Sequence, residues 1–159
     1  MNRGFSCIAL DNPKCAANIG GAMRAAHVYG ADMIVIGGPR YQKFKRFSTD
    51  VTKAYKHIPT LEPENILDVI PHDCVPIAVD LIEGAISLPR YTHPERAFYI
   101  FGAEDQTLGK RITDRCRDVI YIPTKFCMNL AATVNVVLYD RIAKRNEWLV
   151  PSKWQSAAE

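Results

Sequence analysis

The 159-residue chain has no apolar run approaching the roughly 20 residues that a membrane-spanning helix needs. No basic-then-apolar segment precedes Phe5, so we expect no secretory leader and place the protein in the cytoplasm. With 48% hydrophobic and 23% charged residues, the composition excludes a disordered chain. Length and composition together predict one compact domain over residues 1–159.

The cysteines and histidines lack the spacings of a disulfide framework or a metal site. The cysteines are odd in number and contain no C-x-x-C pair, so we expect most of them to be small core residues. No pair of histidines has the close spacing of ligands supported by cysteine or carboxylate neighbours, so we predict no metal. The residues are Cys7, Cys15, Cys74, Cys116 and Cys127, and His27, His57, His72 and His93.

Neither G-x-G-x-x-G nor G-x-x-x-x-G-K-[ST] is present, which disfavours a dinucleotide or P-loop site. A large excess of basic charge is also missing, because the net charge is only +3. The basic residues are clustered, however, with four between positions 40 and 46 beside three aromatic residues. This segment is either a patch that contacts phosphates or a solvated surface loop. It contains Arg40, Lys43, Lys45 and Arg46, with Tyr41, Phe44 and Phe47.

Five short apolar runs alternate with segments long enough to form crossover helices. The runs show no polar alternation, which is typical of strands buried on both faces of a parallel sheet. We therefore predict an α/β fold with a parallel sheet flanked by helices. The predicted strands are Phe5–Leu10, Met33–Ile36, Val75–Leu81, Ala97–Phe101 and Val119–Ile122.

Three helices are predicted around these strands. Ala16–Tyr29 is rich in alanine and ends at Gly30. A second helix begins at Pro63 and continues through Val69. The last long helix covers about Met128–Trp148, with cationic residues near its C-terminal end.

The first polar stretch runs from Asn12 to Arg24 and joins a strand end to a glycine-containing helix. The free N–H groups and positive dipole end of a helix N-terminus attract anions, and Arg24 would add a permanent charge nearby. A simpler interpretation is that Gly20 and Gly21 permit close helix packing and Arg24 is a surface residue.

Two further polar stretches follow predicted strands. In open α/β sheets ligands bind beyond the carboxyl ends of strands, so Phe98–Gly109 is where we expect a cofactor, with Gly102 permitting close approach. Glu104 there is a ligand or partner-subunit contact, or a carboxylate at a helix start. In the third stretch, Ile120–Ala132, the side chain of Asn129 is suited to an N-cap or to bracing a loop.

Together the three stretches resemble the sequence motifs of the SpoU/TrmH branch of the SPOUT superfamily of RNA methyltransferases. The first motif is an asparagine, a spacer and N-x-G-x-x-x-R, matched by Asn12, Asn18, Gly20 and Arg24. The second is F-G-x-E-x-x-G-L, matched by Phe101, Gly102, Glu104 and Leu108. The third is I-P followed by S-[LM]-N-L-S, matched by Ile122, Pro123, Met128, Asn129 and Leu130.

The resemblance covers nearly the whole chain and implies a C-terminal deep trefoil knot, a known exception to the rule against threaded loops. It implies S-adenosylmethionine as the cosubstrate and a homodimer in which the first-motif arginine of one subunit completes the other subunit's site. Family position implies that the adenosine is bordered by Val79, Gly102, Ile122, Cys127, Met128 and Leu130.

The chain length resembles the minimal family members, which methylate the wobble nucleotide of tRNA. This likeness implies 2′-O-methyl transfer to a tRNA ribose, of cytidine or uridine, with Arg24, Asn18 and Glu104 as the catalytic group. The partner would be RNA, and we expect it to be contacted by Lys43, Lys45, Arg46 and Lys125.

Three residues depart from the family pattern. Thr107 stands where glycine is usual, Cys127 where serine is usual, and Ala131 where serine or another small residue is common. These departures motivate an alternative, a knotted RNA-binding protein without activity. Another tRNA or rRNA ribose is a second alternative, and a flavodoxin-like nucleotide-binding protein is a third, disfavoured by the missing glycine fingerprint.

Overall fold

A computed structural model describes residues 4–44 and 53–146 of the chain. Within these ranges seven strands form a single sheet, and each pair of neighbours is parallel. The strands are β1 (Phe5–Asp11), β2 (Met33–Gly37), β3 (Thr60–Leu61), β4 (Val75–Val79), β5 (Ile86–Ser87), β6 (Arg96–Phe101) and β7 (Asp118–Tyr121). Their order across the sheet is β3-β2-β1-β6-β4-β7-β5.

The predicted α/β class and all five predicted strands are confirmed, except that β4 ends at Val79, two residues before the predicted end at Leu81. The sequence prediction missed β3 and β5, which have two residues each and lie at the two edges of the sheet. Two residues are too few to leave a periodic pattern.

The helices of the described ranges are α1 (Ala16–Val28), α2 (Pro39–Phe44), α3 (Lys110–Thr113) and α4 (Leu130–Arg145), with short 3-10 turns at Ala54–Lys56, Ile66–Val69 and Leu88–Arg90. The predictions of α1 and α4 are confirmed. Asn146 caps α4 in the left-handed conformation with φ 54°, so the helix ends before Trp148, which lies outside the described residues.

The helix predicted from Pro63 to Val69 is wrong. Only a 3-10 turn forms, and Asn65 begins it by accepting a hydrogen bond from the N–H of Leu67 at 3.3 Å. Ile70 is already extended. So few residues before Pro71 cannot offset the cost of nucleating an α-helix.

Apolar side chains cover both faces of the sheet, as expected for buried parallel strands. On one face Ile8, Tyr99 and Phe101 pack with α1 and α4. On the other face Phe98 and Ile100 pack with residues of the Ile66–Val69 turn and α3.

Helices α1 and α4 pack in close contact through small residues. A Cβ atom built on Gly21 would lie 2.7 Å from the Cβ of Ala131, a separation that real structures essentially never show. The prediction that glycine permits close packing of this helix is therefore confirmed for Gly21. The contact fixes the start of α4 against α1 and so positions the loop that precedes it.

Because all strands are parallel, their carboxyl ends meet at one edge of the sheet, and the loops that carry the three polar stretches lie there. In the described part of the chain no helix is long and apolar enough to cross a membrane. The same part of the chain contains no group of three histidine, cysteine or acidic residues placed to hold a metal.

Candidate functional site

A cavity of about 430 Å³ lies beyond the carboxyl ends of β4, β6 and β7. Its walls come from the loops after these strands and from the first turn of α4. We refer to it as the cofactor cavity, because all six residues predicted to border the cofactor line it. They are Val79, Gly102, Ile122, Cys127, Met128 and Leu130.

The cofactor cavity combines an apolar floor with a polar rim. Val79 and Leu130 are buried, and Ile122 and Met128 are half-buried. Cys127 is exposed on the preceding loop. Volume and lining are those of a small-molecule pocket, which is mostly apolar and carries a few placed polar groups.

Gly102 serves the loop after β6. A Cβ atom at this position would lie 3.3 Å from the carbonyl oxygen of Gln106 and 3.3 Å from Cγ of Leu108. The glycine therefore lets the loop fold back on itself, a role that the predicted approach of a ligand did not include.

Asp80 is a cavity residue that the sequence analysis missed. Its Oδ1 accepts a hydrogen bond from the N–H of Leu81 and its Oδ2 accepts one from the N–H of Leu108, each at 2.8 Å. Asp80 therefore ties the end of β4 to the loop after β6, two walls of the cavity. The predicted strand Val75–Leu81 included Asp80, whereas β4 ends at Val79. A single acidic residue within that apolar run was the available signal.

Asn18 and Glu104 are brought together by the fold. Nδ2 of Asn18 donates to Oε1 of Glu104 at 2.9 Å, and the N–H of Lys14 donates to Oε2 at 3.1 Å. Burial alone would raise the pKa of Glu104, but the hydrogen bonds from Asn18, Lys14 and Cys15 lower it below the usual value. Glu104 is thus held as a carboxylate that links the first and second motifs beside the cavity.

The interpretation of Glu104 as a carboxylate at the start of the helix that follows it is wrong, because that helix, α3, begins only at Lys110. The carboxylate instead meets the backbone at the start of α1, 90 residues earlier in the chain. A negative charge there suits the positive end of the helix dipole.

Arg24 lies exposed on α1 and does not line the cofactor cavity. Among residues 4–44 and 53–146 it has no hydrogen-bond or ion-pair partner. The fold of one chain therefore does not bring Arg24 to the Asn18–Glu104 pair.

The basic segment divides into three parts. Its first residues form α2, so the interpretation of the segment as a surface loop is wrong for them. Lys43 is exposed on α2. Lys45 and Arg46 lie outside the described residues. Arg40 is engaged within the protein, because its Nη1 contacts Oδ2 of Asp105 at 3.1 Å and its Nη2 donates to the carbonyl of Asn12 at 2.7 Å. The bonds to Asp105 lower the pKa of that carboxyl group.

Two predictions concern the loop before α4. The N-cap role of Asn129 is confirmed, since its Oδ1 accepts from the N–H of Ala132 at 2.8 Å. Lys125 is exposed, and the neighbouring Phe126 is 85% exposed. Both residues lie between the cavity-lining residues Thr124 and Cys127.

Comparison with solved structures identifies similar folds. Streptomyces viridochromogenes AviRb, a SpoU methyltransferase solved in complex with the cofactor AdoMet, superposes with TM-score 0.77 at 17% identity over 94% of this chain and 61% of that one. A structure described as giving insights into 2-OH methylation of C/U34 on tRNA has TM-score 0.76, 20% identity and 91% and 99% coverage. The A. aeolicus TrmH/SpoU tRNA modifying enzyme has TM-score 0.77, 15% identity and 92% and 78% coverage.

The chain spans about 61% of the length of AviRb. At these identities the likeness establishes the fold. No curated protein matches the chain in a sequence search.

Family membership follows from a sequence model. The model described as the SpoU rRNA Methylase family matches residues 6–139, which include all three motifs and every strand of the sheet from the second residue of β1 onward. This match decides against the flavodoxin-like alternative. The chain belongs to the SpoU methylase family of RNA methyltransferases.

Proposed function

We propose that this protein is an S-adenosylmethionine-dependent 2′-O-methyltransferase of tRNA that acts in the cytoplasm on the ribose of the anticodon wobble nucleotide, a cytidine or uridine. The observation that carries the proposal is that all six residues expected to border the cofactor line one cavity. The tRNA target is supported by the similar structure concerned with C/U34, because this chain covers 99% of it.

The cofactor cavity fits S-adenosylmethionine. Its apolar floor at Val79, Ile122 and Leu130 suits an adenine ring, and its volume lies in the range of small-molecule sites. Asp80 and Glu104 place carboxylates around the cavity, which suits a ligand with a cationic sulfonium and an ammonium group. When bound, S-adenosylmethionine supplies an electrophilic methyl group.

Arg24 would act on the ribose rather than on the cofactor. Guanidinium is permanently protonated in proteins, so Arg24 is better suited to stabilise a developing alkoxide than to accept its proton. A phosphate of the substrate or a water molecule would then take the proton. Glu104 and Asn18 brace the loops around the site through their mutual hydrogen bond.

The trefoil knot and the homodimer are parts of the same proposal. After β4 the chain passes to β5 at one edge, returns to place β6 between β1 and β4, and then places β7 between β4 and β5. Such a path supports a threaded C-terminal region. The exposed, unpaired Arg24 of the described chain supports a site completed by a second subunit.

We expect Lys43 and Lys125 to contact phosphates of the RNA, together with Lys45 and Arg46. Both described lysines are exposed, and Lys125 lies beside the cofactor cavity. Replacing Lys43 and Lys125 with glutamine should weaken tRNA binding and flatten its log–log salt dependence by about 0.7–0.9 for each phosphate that is no longer neutralised. Filter binding at several salt concentrations measures this slope, and an unchanged slope would assign both lysines to a merely solvated surface.

The decisive experiment is methyl transfer from radiolabelled S-adenosylmethionine to bulk tRNA and to rRNA, followed by nucleoside mapping. A 2′-O-methylated wobble nucleotide is the expected product. Methylation of a different ribose would support the 2′-O-methyltransferase reaction but contradict the wobble nucleotide as its target. Absence of both transfer and calorimetric cofactor binding at millimolar concentration would favour the non-catalytic RNA-binding alternative, which Thr107, Cys127 and Ala131 motivated.

A further inference from the structure

A second cavity, of about 510 Å³, lies beyond the carboxyl ends of β1 and β2, next to the cofactor cavity. We refer to it as the polar cleft, because its walls carry charged, amide and hydroxyl groups. It is lined by Asp11, Asn12, Glu64, Asn65, Gln106, Thr107 and Arg111, with Gly38, Pro39, Gly102, Ala103 and Leu108.

The polar cleft and the cofactor cavity meet at one loop. Gly102, Ala103, Gln106 and Thr107 line both of them. A ligand in the polar cleft would therefore be separated from a ligand in the cofactor cavity only by the breadth of this loop. Two groups of one substrate, such as the base and the ribose of a nucleotide, could occupy the cleft and its border with the cavity together.

One wall of the polar cleft is fixed by Arg40. The N–H of Arg40 donates to Oδ1 of Asn12 at 3.2 Å, and its guanidinium bonds both the carbonyl of Asn12 and the carboxylate of Asp105. Asn12 is held at φ 52°, a left-handed conformation that is uncommon for residues other than glycine. Gly38 packs directly on it, since an added Cβ would lie 2.6 Å from Cβ of Asn12.

Arg111 fixes the other wall. Its Nη2 donates to both carboxylate oxygens of Asp11 at 3.0 Å, and its Nη1 donates to Oδ1 of Asn65 at 3.1 Å. These bonds join α3, the end of β1 and the turn at Ile66–Val69. Walls held by several cross-links are preorganised for binding, because little side-chain freedom remains to be given up.

Three polar side chains of the cleft remain available for a ligand. Among residues 4–44 and 53–146, the side chains of Glu64, Gln106 and Thr107 have no hydrogen-bond partner. Asp11 is neutralised by Arg111, whereas Glu64 has no cation beside it in this part of the chain. An uncompensated carboxylate disfavours a phosphate and favours a neutral group that donates N–H bonds.

We propose that the polar cleft receives the base of the nucleotide whose ribose is methylated, and that Glu64 favours a base with an exocyclic amino group over one with a keto oxygen. A carboxylate accepts a hydrogen bond from the amino group of cytosine but repels the corresponding oxygen of uracil. Gln106 and Thr107 would meet the same base from the shared loop. This inference rests on the proposed function and identifies the polar cleft as the surface that recognises the base of the substrate.

The test compares two transcripts of the methylated RNA that differ only at the mapped nucleotide, cytidine against uridine, or adenosine against inosine if a purine is mapped. Wild-type protein should favour the amino-bearing base by roughly 10-fold in kcat/KM. Glu64→Gln should abolish or invert this preference, because an amide can donate to a keto oxygen. Its dissociation constant for S-adenosylmethionine should be unchanged, since Glu64 does not line the cofactor cavity.

Glu95→Gln is the matched control, an exposed glutamate at the opposite end of the sheet, next to the start of β6. It should keep the wild-type preference. Glu64 is exposed and unpaired in the described part of the chain, so its replacement should leave folding intact. If Glu64→Gln keeps both the rate and the base preference, the inference is wrong while the proposed function stands; if the wild-type protein methylates no RNA, the proposed function fails and the inference fails with it.

Discussion

Arg24 offers the sharpest separation of chemistry from cofactor binding at the scale of single residues. It lies outside the cofactor cavity, so Arg24→Ala should leave the calorimetric affinity for S-adenosylmethionine nearly unchanged. Methyl transfer should fall by roughly 100- to 1,000-fold, because the charge that we propose stabilises the developing alkoxide is removed. Arg115→Ala, at another exposed arginine, is the control. Wild-type turnover by Arg24→Ala would make Arg24 a surface residue without a catalytic role.

Individual residues also show which parts of the site could be predicted from the sequence and which could not. The six cavity residues could be named because the resemblance to the SpoU/TrmH family implies their positions. Five of them stand within the second and third polar stretches, and Val79 comes from family position alone. The bonds of Arg111 to Asp11 and of Arg40 to Asp105 could not, since the partners are 100 and 65 residues apart and no local pattern joins them. The polar cleft consists of such long-range pairs and was therefore not predicted.

At the scale of elements, α4 is fixed near both of its ends. The contact between Gly21 and Ala131 holds its first turn against α1. Near its other end the buried guanidinium of Arg141 donates to the carbonyls of Pro94 and Glu95, each at 2.7 Å. The helix that begins beside the cofactor cavity is therefore anchored to the opposite end of the sheet.

The close contact of α1 with α4 predicts a specific coupling between two substitutions. Gly21→Ala should lower the free energy of unfolding by about 1–3 kcal/mol, because the new methyl group meets Ala131 in a packed interface. Ala131→Gly alone should cost about 0.5–1 kcal/mol for a glycine in a helix. Urea denaturation of the double variant should show less destabilisation than the sum, because the overlap is removed. Strict additivity would contradict the contact.

The contacts that hold the C-terminal part of α4 against the sheet also include a titratable group, His93. Its Nε2 lies 2.8 Å from Oδ2 of Asp140 and its Nδ1 lies 2.6 Å from the hydroxyl of Tyr99. Burial raises the pKa of Tyr99 to about 12, so its hydroxyl keeps a proton to donate to Nδ1. Burial also lowers the pKa of His93, against the opposing effect of Asp140, while Arg141 and Lys144 lower it further.

A lowered pKa makes folding depend on pH, because the unfolded chain binds the His93 proton more readily than the folded one. The stability that neutral His93 contributes is therefore complete above its ordinary pKa of 6.5 and declines as the pH falls below that value. Urea denaturation above and below pH 6.5 should show this decline in wild-type protein and a smaller one in His93→Gln. His72→Gln, at an exposed histidine, is the control and should follow wild type. If the free energy of unfolding declined equally with falling pH in all three proteins, His93 would not be the group responsible for the decline.

For the molecule as a whole, the parallel sheet collects the functional groups at one edge. The fold class and the main strands could be predicted because buried parallel strands leave continuous apolar runs. The strand order could not, because β6 and β7 enter the interior of the sheet late in the chain and no local pattern records which neighbour they meet. That order brings the ends of β4, β6 and β7 together around the cofactor cavity.

The proposed dimer follows from the placement of Arg24 relative to that cavity. One chain presents the cavity with the Asn18–Glu104 pair beside it, but its own Arg24 is exposed elsewhere on α1. In a two-fold dimer each subunit would lend its arginine to the other. Light scattering should therefore give twice the 17.9 kDa mass of the chain at micromolar concentration. A purely monomeric protein would remove the basis for a shared site.

Subunit mixing tests the shared site directly. Cys127→Trp should fill the cofactor cavity without disturbing the core, because Cys127 lies on an exposed loop that lines it. This variant and Arg24→Ala should each be inactive alone. Co-expressed in equal amounts they should recover about a quarter of wild-type activity, since half of the dimers then contain one intact pocket served by one intact arginine. If Arg24 instead acted within its own chain, every mixed dimer would lack a complete site and no activity would return.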